Sequence, residues 1–155
     1  MQNRRETREV VLKALYAAEL SGETAEEIST KIIKTSFEAD DDKTIKEFAD
    51  KLFYRALNIK EEATIMIAEN LKNWELDRLA ALDRIILVMG ITEFLHFDDI
   101  PTKVTINECI ELAKKYSTFK SGKFVNGILE SALTSLKEQE RVNKTGRGLI
   151  QKRLS

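Results

Sequence analysis

Residues 100–129 read I-P-T-K-V-T-I-N-E-C-I-E-L-A-K-K-Y-S-T-F-K-S-G-K-F-V-N-G-I-L, and this stretch decides the fold. Ile106, Cys109, Ile110 and Ala113 recur at the spacing of one helix face. Val125, Ile128 and Leu129 do the same, and the stripe continues to Ala132 and Leu136. The spacing predicts two amphipathic helices joined by a short polar turn. That turn carries Lys120, Ser121, Gly122, Lys123 and Phe124, with Ser121 as the expected cap of the last helix. Asp98-Asp99-Ile100-Pro101 reads as a stop followed by a restart.

Moving toward the N-terminus, Leu79, Leu82, Ile85, Ile86 and Met89 predict another helix. It is apolar all round from Ile85 to Met89, which implies cover on several sides. Gly90 within it costs about 1 kcal/mol of helix propensity relative to alanine, so a neighbouring helix is expected to approach there. Asn73-Trp74 looks like a break. Before it, Ile45, Phe48, Ala49, Leu52, Ala56, Ile59, Ala63 and Ile67 continue one long helical stripe, with Asp40-Asp41-Asp42 as its solvated acidic lead-in. Thr24 and Glu27 form a capping-box pattern ahead of Ile28, Ile32 and Ile33. The first helix is expected after Asn3, a good N-cap, with Val11, Ala14, Leu15 and Ala18 buried and Gly22 ending it. The expectation is an all-α fold of about seven helices in two three-helix-like bundles. Residues 1–139 would form one domain, with sub-bundles at about 4–73 and 74–139, and residues 140–155 a basic, disordered tail.

Composition narrows the functional classes. The chain has 155 residues, enough for one domain with a real core, and a single proline in keeping with a helical fold. A formal net charge of −1 gives no global field to attract nucleic acid, so any such binding must use local patches. One cysteine excludes an internal disulfide and suits a reducing cytoplasm. Residues 1–10 are too polar for a signal peptide, and the apolar run Ile85 to Met89 is too short to span a bilayer.

Catalytic chemistry finds little support. His96 and Cys109 stand alone in different predicted helices, so no metal cluster is expected. Cys109 sits on an apolar stripe and reads as core, and His96 as a helix C-terminal residue. Ser121-Gly122-Lys123 lacks the glycine spacing of a phosphate-binding loop, and no nucleophile–base pair stands out. Neither a cofactor nor an enzymatic activity is expected.

Two patches invite a binding reading instead. The opening R-R-E-T-R-E-V-V-L-K-A-L-Y, Arg4 to Tyr16, places Arg5 and Tyr16 nearly in line, with Arg8 and Leu12 close to that side. Arginine forks suit phosphates, and a tyrosine face can stack an unpaired base. At the turn before the last helix, free N–H groups, Lys123 and the stripe-edge Phe124 make an anion-and-base surface, with Asn126 on the other flank. Pattern alone leaves both patches open to a second reading, as solvated helix ends and core aromatics.

The K-F-V-N-G turn, the Arg-led opening and R-L-A-A-L-D-R-I-I-L (Arg78 to Leu87) closely resemble the NusB family of transcription antitermination factors. The resemblance covers roughly Arg4 to Leu136. It implies an RNA-binding adaptor that engages boxA-type single-stranded RNA together with NusE, a small-ribosomal-subunit protein. Such a complex helps RNA polymerase resist termination while transcribing ribosomal RNA. It implies RNA contacts at Arg4, Arg5, Arg8, Tyr16, Lys120, Ser121, Lys123, Phe124 and Asn126, and partner contacts at Asp77 and Asp83. Two departures stand out: Glu6 interrupts the arginine run, and Lys120 replaces an acidic residue of some members. Two other classes compete. One is a helical interaction module or homodimer without RNA. The other is a domain related to that preceding the catalytic part of RNA cytosine methyltransferases, disfavoured because no cofactor-binding domain follows here.

Overall fold

The computed structural model describes residues 3–40, 42–71 and 78–150. The expected break at Asn73-Trp74, the acid Asp77 and the middle residue of the aspartate triplet lie outside them. Among the described residues there are six α-helices and no strand, in keeping with the expectation of an all-α fold.

Helix α1, Arg4–Ser21, begins where Asn3 accepts a hydrogen bond from the Glu6 N–H at 2.9 Å. It ends at Gly22, whose φ of 70° is the left-handed conformation that glycine adopts without strain. Helix α2, Ala25–Ile28, carries the predicted capping box: Thr24 Oγ1 accepts from the Glu27 N–H, and Glu27 accepts from the Thr24 N–H. A π-helical stretch, Ser29–Lys34, continues it and packs on α1. Helix α3, Lys43–Glu69, is 27 residues long, and Asp42 caps it by accepting from the Thr44 N–H and hydroxyl.

Two compact units divide the chain, Met1–Asn58 and Ile59–Ser155. The division falls inside α3, whose buried residues in the second unit include Ile59, Ala63 and Ile67.

Within the second unit, α4 (Ala81–His96), α5 (Thr102–Tyr116) and α6 (Ser121–Glu138) pack on one another. Every residue of α4 from Ile85 to Phe94 is buried, as the all-round apolar run predicted. Gly90 is the contact point. A Cβ placed there would stand 2.8 Å from Leu129 Cδ2 and 3.2 Å from Cys109 Sγ, so glycine lets α5 and α6 close on α4. Cys109 is itself core, 1% exposed.

The segment after Gln139, expected to be disordered, follows a defined path as far as it is described. Lys144 Nζ donates to the carbonyls of Glu93 at 3.0 Å and Phe97 at 2.6 Å, at the C-terminal end of α4. The Glu93 carbonyl also accepts from the Phe97 N–H and the Phe97 carbonyl from the Ile100 N–H, so the ammonium adds a second donor to each and a positive charge at the negative end of the helix dipole. The Thr145 N–H donates to the Asp98 carbonyl, and a 3-10 turn follows at Gly146–Leu149. Arg141 also pairs with Glu62 of α3.

Candidate nucleic-acid interface

In the first unit the arginines of α1 divide by their position around the helix. Val11, Leu12, Ala14 and Leu15 form the buried arc, and Thr7 and Arg8 fall within it. Arg4 and Arg5 are exposed, and Tyr16, three turns beyond Arg5, is 37% exposed. Arg8, expected at an RNA surface, is only 3% exposed. Its guanidinium carbon lies 5.4 Å from the centroid of the Phe48 ring, and that of Arg4 lies 4.6 Å from the same ring. Phe48, on α3, thus serves as a cation–π platform for both. Leu12 is core and takes no part in the strip.

In the second unit the turn between α5 and α6 borders an open cavity of about 390 Å³. Arg78, Asp83, Thr118, Lys120, Ser121 and Phe124 are among the residues that line it. Lys120 is the residue preceding α6, and Lys123 and Asn126 are exposed on its first turns. Phe124 is half-buried, in keeping with its predicted place at the edge of the stripe.

Ser121 differs from its expected role. It is the first residue inside α6, only 6% exposed, and Thr118 Oγ1 accepts from its N–H at 3.2 Å in the manner of a cap. The Ser121 hydroxyl donates to Asp83 Oδ2 at 3.1 Å. Asp83 is correspondingly buried, 8% exposed, and does not present the open acidic surface expected of a partner contact. Its second oxygen, Oδ1, is buried without a hydrogen-bond partner among the described residues. Asp83 therefore ties the start of α4 to the start of α6 and fixes the cavity wall from which Lys120 and Phe124 project.

Sequence reading passed over Phe119. It occupies the turn expected to be polar, and its side chain is 84% exposed. The available signal was an aromatic residue between Thr118 and Lys120, where a loop has no apolar stripe to absorb it. Arg78 was also unassigned, since it precedes the periodic part of α4 and only the fold brings it to the cavity. No group of three or more metal-ligating side chains occurs among the described residues.

Residues 5–134 match the family model described as NusB family. The chain is 45% identical over 150 residues to the transcription antitermination protein NusB of Salinibacter ruber, covering 97% of this chain and 92% of that one. It is 41% identical over 133 residues to the protein of the same name from Methylacidiphilum infernorum, covering 86% and 92% of the two chains. Among solved structures, NusB of T. maritima superposes with a TM-score of 0.78 at 35% identity, covering 90% of this chain and 96% of that one. A chain from a complex of antitermination factors NusB and NusE with double-stranded RNA superposes with a TM-score of 0.74 at 28% identity, covering 85% and 96%.

Proposed function

The chain belongs to the NusB family of transcription antitermination proteins, and from that premise we propose that it binds boxA-type single-stranded RNA jointly with NusE in the cytoplasm. The family is non-enzymatic, so the chain's work is recognition: it holds a nascent transcript for an antiterminating polymerase. The observation that carries this reading is the pairing of exposed cations with accessible rings in both patches. Arg4, Arg5 and Tyr16 supply them on α1, Lys120 and Phe124 supply them in the cavity lining, and Lys123 is exposed in the first turn of α6. Cations neutralise phosphates, whereas rings need bases that are free to stack. Together they favour a single strand, because base edges and faces are hidden in an A-form duplex.

Arg8 and Ser121 act from beneath this surface, the first held on Phe48 and the second held by Asp83. Asn126 is exposed beside Lys123 and offers an amide to a base or backbone group. NusE is the protein partner, with Asp77 as the acidic contact on this chain. The complex of NusB and NusE with double-stranded RNA, to one chain of which this fold is similar, supports an assembly with NusE and RNA while leaving the strand preference to the test below.

Gel-shift titration of boxA-type RNA, with and without NusE and with a duplex competitor, tests the reading. Binding is expected to tighten when NusE is added and to resist the duplex. Its log affinity should fall with log salt at about 0.7 per phosphate contacted. Salt-independent binding, or equal affinity for the duplex, would refute the single-strand footprint.

A further inference from the structure

Phe119 is more exposed than any other large apolar side chain among the described residues. It stands in the chain between Thr118 and Lys120, both of which line the cavity beside α6, so its backbone lies at the cavity rim. The same cavity is lined by Phe124, Arg78 and Lys120, and Lys123 is exposed in the first turn of α6. We propose that Phe119 is the outer stacking surface of a nucleotide site, taking one unpaired base of the RNA strand on its face. Lys120 and Lys123 hold the adjoining phosphates. The proposal rests on the RNA-binding reading above and adds to it a base-holding residue outside the set expected from sequence.

Charge and shape favour RNA over a protein occupant. Protein interfaces centre on an apolar core from which charge is depleted. Phe119 instead is an exposed ring in the polar sequence Ser117-Thr118-Phe119-Lys120, beside a cavity whose lining includes Arg78 and Lys120. An exposed ring in a turn that also carries cations suits a stacked base flanked by phosphates, the usual arrangement of single-strand sites.

Full-length wild type, F119L and F119W are to be titrated with a boxA-type oligoribonucleotide, with NusE present and absent. Because the ring is exposed, circular dichroism and Tm should not change in either variant. F119L, which keeps apolar bulk but loses the π-face, is expected to bind roughly 5- to 150-fold more weakly. Its salt slope should equal the wild type's, since no phosphate contact is removed. F119W should bind at least as well as wild type, and its added tryptophan emission should be quenched when RNA binds. Wild-type affinity in F119L overturns the proposal and leaves the RNA-binding reading intact. Weaker NusE binding with unchanged RNA affinity assigns the ring to the protein partner and also overturns it. If wild type itself fails to bind RNA even with NusE, both readings fall together.

Discussion

Arg8 and Arg5 show how far three residues along one helix can separate two roles. Arg5 is exposed, whereas Arg8 is buried with its guanidinium over Phe48. A buried arginine contributes through its aliphatic stem and its ring contact as well as through its charge. Arg8→Ala is therefore expected to destabilise the fold by about 2 kcal/mol in urea unfolding, from lost packing and cation–π contact. At temperatures where the variant stays folded, its RNA affinity should change only a few-fold. Arg5→Ala should do the reverse, leaving the urea midpoint in place and weakening RNA binding. An Arg8→Ala protein as stable as wild type but unable to hold RNA would return Arg8 to the surface role inferred from sequence. The helical wheel put Arg8 on the flank of the buried arc and could not say on which side of its edge the side chain would fall. The deciding contact, Phe48, lies on another helix 40 residues along the chain, and no local pattern encodes it.

Whole elements were easier to read than single contacts, and Gly90 and Lys144 show where the limit lies. Gly90 was legible because a glycine inside an apolar helix has few explanations other than a close neighbour, and α5 and α6 supply that neighbour through Cys109 and Leu129. Gly90→Val should accordingly overpack this junction and cost about 2 kcal/mol, read as a fall in Tm with RNA affinity per folded molecule retained. Lys144 was not legible. Its composition matched a solvated basic tail, while its actual partners are carbonyls 47 and 51 residues earlier. The same holds for the Ser121–Asp83 bond, which spans 38 residues and turned an expected surface acid into a buried tie. Two substitutions should detach the segment beyond Gln139 by independent routes. Lys144→Met removes the charged donor, a loss of about 2 kcal/mol of local stability. Gly148→Ala keeps the charge but would place a Cβ 1.9 Å from the Asp98 carbonyl oxygen, so the turn cannot stay seated. Hydrogen exchange at the amides of Thr145 and Gly148 should accelerate in both variants, with α1 unchanged. Unchanged protection in Gly148→Ala would mean that the docked path does not persist in solution.

At the scale of the molecule, a net charge of −1 and a set of local cations make a specific electrical demand. With no global field, long-range attraction to RNA is weak, and affinity must come from the few phosphates that individual side chains meet. Each contact then becomes visible as its own increment of salt dependence. Arg5 lies in one compact unit and Lys123 in the other, so reversing each tests whether both patches act on the same strand. Arg5→Glu and Lys123→Glu should each lower the salt slope by about 0.7, and the double variant by about 1.4, with helical circular dichroism preserved. Additive increments are the outcome expected of two separate phosphate contacts. If one patch alone holds the RNA, a single reversal will capture the whole change and the second will add nothing. That result would confine the interface to one unit and leave the cations of the other to stability or to NusE.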